Sequence, residues 1–387
     1  MKRIFFLIHS MNVGGVEKAL LGLLSVLQLD KYEVHVGLLK KDGGFLDFLP
    51  KEVIVHEINC YADNWKLIND PPLRNIKTML KKGHLVEAVV HFLLYLQIKL
   101  TSNRFWFYKY ILRKEDYFPV EYDLAVSFAG PSQIMDYYIC EKVNANKKCC
   151  WIHFDVSQYG IDKKMTAILY KRFDSIFIVS EEGKIIFDKM FPQFAAKTEV
   201  FHNVVSQQNV ISLAEVGPSF EDDPDVQRIL TVGRISEEKG QQVAIAALKL
   251  LLDRGYVLKW YFVGDGDNRD CCEQLAEEYG IRDNVVFLGV QTNPYGYMKD
   301  CDVYVQPSRH EGFCITLAEA SCFDKPIVAT DFTGAHEQLK HRDNGLVVGM
   351  SARDISKGVI EALEKGPSCS KQIQANVDLP KLLKLLL

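Results

Sequence analysis

The sequence lacks any uncharged apolar stretch of the roughly 18 to 20 residues that a membrane-spanning helix needs, so no crossing of that kind is expected. It has little net charge: 46 basic residues face 50 acidic ones, and the balance of −4 offers no global attraction for nucleic acid. Its ten cysteines include the adjacent pairs Cys149/Cys150 and Cys271/Cys272 but no C-x-x-C spacing, which removes the usual zinc and redox-pair signatures and leaves reduced, mostly buried thiols. No G-x-G-x-x-G follows the first hydrophobic run, only Gly14-Gly15, so a nicotinamide-dependent oxidoreductase fits poorly. The opening Lys2-Arg3 and Ile4 to Ile8 looks like a secretion signal, yet its apolar part is short and leads into glycines instead of a cleavage site. It reads as the buried first strand of a cytoplasmic protein.

What is present is length and rhythm. A chain of 387 residues exceeds the size at which one hydrophobic core keeps growing, so two domains are expected. Short β-branched and aromatic runs alternate with stretches of helical periodicity, the pattern of parallel sheets covered by helices. In the first half, strands are predicted over residues 3–9, 33–39, 53–57, 122–128, 148–153, 175–180 and 198–202. In the second they fall at 228–232, 259–263, 284–288, 302–306, 326–329 and 345–348. Between the two sets, residues 206–225 are polar and acidic and carry Pro218 and Pro224, which marks an interdomain linker. The expected division is 1–205, 206–365 and a helical segment 366–387, whose amphipathic end from residue 379 packs across the two lobes. Two such sheets, with strand ends facing each other, enclose one cleft.

Residues 74–114, within an expected helical insertion of about 66–118, break the rhythm. They hold nine lysines and arginines and one acid, Glu87, interleaved with Phe92, Tyr95, Phe105, Trp106, Phe107, Tyr108 and Tyr110. Positive charge beside aromatic side chains suits a membrane interface or a lipid phosphate. An ordinary insertion that packs its apolar face on the first domain accounts for the same composition equally well.

The strongest chemical signal is Glu311 to Ala320, E-G-F-C-I-T-L-A-E-A, which follows a predicted strand and the turn Pro307-Ser308-Arg309-His310. Gly312 permits a tight turn, and a helix starting near Cys314 would aim free N–H groups and its positive dipole end at the cleft, making an anion site. Glu311 and Glu319 stand eight residues apart. A carboxylate accepts two hydroxyl hydrogen bonds, so one suits sugar hydroxyls and the other a ribose. Arg234 and Lys239 lie in a glycine-containing loop after another strand, and two fixed cations suit a diphosphate that gains charge as it leaves. The turn Val263-Gly264-Asp265-Gly266-Asp267 at first suggests a metal-binding carboxylate pair. Its glycines fit a turn beside a phosphate or base as well, and no metal is expected.

The series G-R-x(4)-K-G, V-G-D-G, F-L-G, P-S-x-x-E-G-F-x(5)-E-A, K-P-I-V-A-T and N-G-L-V-V, running from Val232 to Val348, resembles glycosyltransferase family four, the large retaining group of GT-B fold. Its bacterial polysaccharide-assembly members are the most similar in kind. Over the first half the resemblance rests on Gly14-Gly15-Val16-Glu17, Trp151-Ile152-His153 and Ile178-Val179-Ser180. It implies an α/β protein of two Rossmann-like domains with parallel sheets facing a central cleft. It also implies that Arg234 and Lys239 grip the donor diphosphate, Glu311 the donor sugar hydroxyls and Glu319 the ribose. The backbone of Gly312, Phe313, Cys314 and Ile315 would lie against sugar and phosphates, with Gly233, Gly264 and Gly266 in the donor-binding turns. Gly14 and Gly15 would close near phosphates and acceptor, and His153 would contact the donor sugar. Many relatives carry a further glycine where this chain has Cys314.

The implied activity is retaining, metal-independent transfer of a sugar from a nucleoside-diphosphate donor, a UDP-sugar first, to a hydroxyl of a glycan or lipid-linked glycan in cell-surface polysaccharide synthesis. No cofactor and no nucleic acid is implied, and the expected place is the cytoplasm, in peripheral contact with the inner face of the membrane. No carboxylate stands out as general base; in this family the departing phosphate is thought to take the acceptor proton. A nucleotide-sugar epimerase of the same fold, and a non-catalytic two-lobed sugar- or nucleotide-binding protein, remain open.

Overall fold

The computed structural model describes residues 1–158, 160–221, 226–368 and 378–386. Two all-parallel sheets organise them. The first contains β1 (Lys2–Ile8), β2 (Tyr32–Leu38), β3 (Ile54–Glu57), β4 (Tyr122–Gly130), β5 (Ala145–Ile152), β6 (Ser175–Ile178) and β7 (Thr198–Val200), in the order β3-β2-β1-β4-β5-β6-β7. The second contains β8 (Gln227–Val232), β9 (Leu258–Val263), β10 (Val285–Gly289), β11 (Val303–Gln306), β12 (Ile327–Thr330) and β13 (Gly345–Val348), in the order β10-β9-β8-β11-β12-β13. Each predicted strand is present, its ends shifted by a few residues at most. The reason is local: parallel strands are covered by helices on both faces, so they read as continuous apolar runs, and Ile4 to Ile8 of β1 is buried throughout. In both sheets the order reverses beside the first strand, at β1/β4 and at β8/β11. Connections leave in opposite directions there, and the strand-end loops separate into a crevice.

The two domains also meet through apolar side chains. Leu20, Phe201 and Val204 from the first belong to one continuous buried cluster with Phe313 and Ile315 of the second and Leu382 near the C-terminus. The expected linker departs from its polar reading. Residues Gln207–Val216 form a helix, with the Ser206 hydroxyl accepting from the Asn209 N–H at its start. Val210 and Ala214, spaced four apart on one helix face, are buried, and Asn293 donates to the Leu213 carbonyl at 2.9 Å. That short apolar stripe was concealed by the acidic composition around it; residues 222–225 of the expected linker lie outside the described residues. At the other end, helix Leu379–Lys384 lies against the first domain, where Lys381 donates to the Val200 carbonyl at 2.6 Å and Asp378 meets His202 at 2.8 Å. Residues 369–377 and 387 of the expected terminal segment lie outside the described residues.

The basic aromatic segment folds as helices Pro72–Lys81, Leu85–Thr101 and Phe105–Ile111. The expected packing on the first domain is seen for the last of them. Phe105, Tyr108 and Ile111 are buried in the outer core of the first domain with Tyr137. The long middle helix buries Ala88 and His91 but leaves Leu85, Val86, Val89, Phe92, Leu93, Leu96 and Leu100 exposed to solvent. Among the described residues no helix is long and apolar enough to cross a membrane.

Candidate functional site

A cleft of about 630 Å³ opens between the strand ends of the two sheets. Loops after β1, β5, β8, β9 and β11 bring Gly14, Gly15, His153, Gly233, Arg234, Lys239, Gly264 and the run Glu311 to Ile315 to its walls. Residues more than 290 positions apart in the chain therefore share one hollow. Gly266 and Glu319 do not line it. Gly266 is held back against the Ile235 carbonyl, 2.3 Å from where a Cβ would stand.

At Gly312 the backbones of the two domains pack tightly together. A Cβ there would sit 2.0 Å from the His153 carbonyl oxygen and 2.7 Å from the Phe154 Cα, so no side chain fits at this contact. Neighbouring bonds hold the same closed arrangement: Thr333 donates to Asp155 at 3.1 Å, and the Gly334 N–H to Glu182 at 3.0 Å.

Lys239 and Glu311 meet directly, Nζ to Oε1 at 2.7 Å. The same oxygen accepts from Ser308 at 2.7 Å and lies 3.5 Å from the Gln306 amide. Gln306, which the sequence did not suggest, is the hub beneath: its amide donates to Ser308 at 2.9 Å, while its carbonyl oxygen accepts from Tyr304 at 2.8 Å and Thr316 at 3.3 Å. This network locks the rotamer of the carboxylate that should meet the ligand. Burial on its own would depress Lys239, but the charge and hydrogen bond of Glu311 outweigh it and hold the ammonium above its ordinary value. Arg234 is exposed at the mouth of the cleft and paired with Glu238. The two expected cations both line the cleft, Lys239 fixed by Glu311 and Arg234 exposed beside Glu238.

The expected helix starts at Ile315, with Cys314 before it on the cleft wall. Ile315–Ala320 has six residues, too few to sum a strong macrodipole, so side-chain charge carries more of any anion binding than the sequence suggested. Cys314 sits at its start with φ 55°, in the left-handed region. The bend that a glycine would adopt freely is kept by a cysteine, at a cost of about 1 kcal/mol.

His153 is half-buried, its ring packed by Phe128, at a ring separation of 4.7 Å, and Trp151, with both ring nitrogens shielded from solvent. Burial pushes its pKa down to about 3, with the Phe128 backbone pulling slightly the other way, so the ring is neutral across the physiological range. Neither ring nitrogen has a well-aligned partner among the described residues. Glu17 lines the same cleft, and its carboxylate folds back over Gly14 at the start of helix Gly15–Val26. Burial raises its pKa to about 7, against a smaller opposing pull from its own backbone N–H and the Arg234 charge. Its place in Gly14-Gly15-Val16-Glu17 was the signal that could have found it.

Glu319 is enclosed. Lys18 of the first domain lies 2.8 Å from Oε1 and 3.0 Å from Oε2, and the Tyr295 hydroxyl donates to Oε1 at 2.7 Å. No sequence pattern pointed to Lys18 or Tyr295, which lie 301 and 24 positions from Glu319.

Residues 218–377 match the family described as glycosyl transferases group 1. An uncharacterized glycosyltransferase of Methanocaldococcus jannaschii is 27% identical over 207 residues, 51% of each chain, so the aligned part spans about half of that relative. A second M. jannaschii glycosyltransferase, also uncharacterized, is 37% identical over 126 residues, 32% of each chain. Longer coverage comes from the N-acetylgalactosamine-N,N'-diacetylbacillosaminyl-diphospho-undecaprenol 4-alpha-N-acetylgalactosaminyltransferase of Campylobacter jejuni, 25% identical over 90% of this chain and 86% of the relative. Among solved structures, Anabaena HepE in complex with UDP-glucose superposes with a TM-score of 0.65 at 17% identity, covering 94% of this chain and 90% of that one, a likeness of fold. Residues 218–377 therefore belong to the group 1 glycosyl transferases, within a chain whose two facing parallel sheets form the GT-B fold.

Proposed function

We propose that the protein transfers a sugar from a nucleoside-diphosphate donor, with UDP-sugars the first candidates, to a hydroxyl of a glycan or lipid-linked glycan during cell-surface polysaccharide synthesis. The reading assigns retention of configuration and no requirement for metal. One observation carries it: Arg234, Lys239, Glu311 and the Gly312 to Ile315 backbone share a cleft with Gly14, Gly15 and His153 of the facing domain. Heterolysis of the glycosidic C–O bond places negative charge on the leaving diphosphate and positive charge on the anomeric carbon. Arg234 and Lys239 stabilise the first; Glu311, locked by Ser308 and Gln306, holds sugar hydroxyls beside the second. The acceptor oxygen bonds to the anomeric carbon on the face the diphosphate leaves, and its proton passes to a phosphate oxygen, so no protein base is needed. His153, neutral throughout, acts as a hydrogen-bonding partner to the sugar and does not relay charge. The close fit at Gly312 excludes water and limits hydrolysis of the donor.

The acceptor side belongs to the first domain in this reading. The exposed apolar face of helix Leu85–Thr101, with Arg74, Lys77, Lys81 and Lys82 on the preceding segment, suits the cytoplasmic surface of a membrane holding an anionic, lipid-linked acceptor. The C. jejuni relative, named for a diphospho-undecaprenol acceptor, supports that assignment.

The test is a panel of UDP- and GDP-sugars incubated with and without a lipid-diphosphate glycan. Acceptor-dependent release of nucleoside diphosphate, an anomeric configuration kept in the product and indifference to chelator are expected. A panel that binds yet gives no release with any acceptor would leave only a binding protein. Sedimentation with anionic vesicles at low salt tests the membrane surface, and a protein that stays in the supernatant sinks that part.

A further inference from the structure

Behind the wall of the cleft lies a carboxylate that a ligand cannot reach as the structure stands. Glu319 has a side chain 3% exposed and is absent from the walls, whereas Lys18, directly in front of it, is part of them. Both carboxylate oxygens are engaged by the Lys18 ammonium, and Tyr295 adds its hydroxyl to Oε1. The same ammonium sits 4.5 Å over the Tyr295 ring, a second attraction that keeps it in place. Lys18 is carried by helix Gly15–Val26 of the first domain, while Glu319 and Tyr295 belong to the second. An ion pair within the cleft thus bridges the domains.

We propose that Lys18 is a gate over the nucleoside end of the donor site, which must release Glu319 before a ribose can bind there. The inference rests on the reading of Glu319 as the ribose contact and adds a residue of the opposite domain to it. A ribose diol donates two hydrogen bonds and needs acceptor capacity that the ammonium now occupies. Nucleotide entry therefore exchanges one set of partners on Glu319 for another and requires helix Gly15–Val26, or the Lys18 side chain alone, to withdraw. With the cleft empty, the pair neutralises a buried carboxylate and holds the lobes together. The apparent affinity for nucleotide is lowered by the fraction of molecules in which the gate is shut.

Calorimetric titration of UDP into the wild type, Lys18→Met, Lys18→Arg and Arg234→Ala tests this. Lys18→Met should bind UDP about tenfold more tightly if nine molecules in ten are shut, and Lys18→Arg should stay near the wild type. Arg234→Ala should bind more weakly. If Lys18→Met unfolds, Lys18→Gln, which retains a hydrogen bond without the charge, should still show tighter binding. Unchanged or weaker UDP binding by folded Lys18→Met or Lys18→Gln, with Arg234→Ala still impaired, overturns the gate and leaves the donor site standing. Equal UDP binding by the wild type, Lys18→Met and Arg234→Ala overturns the donor-site reading and the gate with it.

Discussion

On the second-domain wall of the cleft, Gly233, Arg234, Lys239 and the run Glu311 to Ile315 come from two strand-end loops, each a short contiguous stretch of chain. The first-domain wall is assembled from the run Asn12 to Lys18 after β1, Phe45 after β2, the pair His153 and Phe154 after β5 and Asn203 after β7, so it draws on more separate parts of the chain. The chemistry differs in the same sense. The second wall presents charge fixed by neighbours, as in Lys239–Glu311 over Ser308 and Gln306. The first presents groups whose charge depends on surroundings: a neutral His153, a Glu17 poised near neutrality and a Lys18 committed to the opposite domain. A wall that binds a constant ligand can be written as a motif. A wall drawn from more separate loops is fixed by packing instead.

The largest effect is expected on the second wall. Arg234→Ala and Lys239→Met should each lower turnover by about 100- to 1000-fold, the scale of losing one donor to a developing oxyanion. They should part company in stability. Arg234 is exposed, and its loss should leave the melting temperature nearly unchanged. Removing Lys239 strands the Glu311 carboxylate in the interior, which costs about 3 kcal/mol and is readable in urea unfolding. Equal melting temperatures for the two variants would contradict the buried pair.

Where the walls touch, Gly312→Ala should force the domains apart at His153. A displacement near 1 Å costs about 100-fold in rate, with each domain still folded by circular dichroism. Near wild-type turnover in that variant would show that the close contact plays no part in catalysis.

The smallest effect probes the first wall through pH. Burial raises Glu17 to about 7 in the folded protein, above its value in the unfolded chain. Its contribution to stability is therefore full below about 4.5 and is lost as pH rises toward 7, while the unfolded chain sheds the proton first. Glu17→Gln should remove that loss, so its stability relative to the wild type should increase across this window. Above pH 7 the ionised carboxylate would face a diphosphate bound as proposed. UDP affinity of the wild type should then fall relative to Glu17→Gln by about fivefold between pH 6 and 8, the scale of roughly 1 kcal/mol of repulsion. Parallel profiles for the two proteins would remove Glu17 from the site.

The strands were legible because burial on both faces leaves an unbroken apolar run in each, a property of a few consecutive residues. Helix Gln207–Val216 was not, because two buried side chains, Val210 and Ala214, are too few to show through a polar stretch. Arg234, Lys239 and Glu311 were legible as residue types at a spacing, but the partners that fix their charges were not. That Lys239 neutralises Glu311 and that Arg234 turns to Glu238 depend on side-chain positions, which spacing does not encode. Cys314 stood out as a departure from the family pattern, yet its φ of 55° shows the bend preserved.

The amino-acid order alone determined the alternation of strand and helix, the two parallel sheets and the two loops that carry cation, carboxylate and glycine, since each follows from residues within one strand or one turn of each other. Tertiary structure decided which groups are available. It placed Lys18 of the first domain on Glu319 of the second, stripped His153 of its proton by burial and brought Gly312 against a carbonyl of the opposite lobe. Each of these depends on desolvation or on distances across the cleft, and both exist only once the two domains have closed on one another.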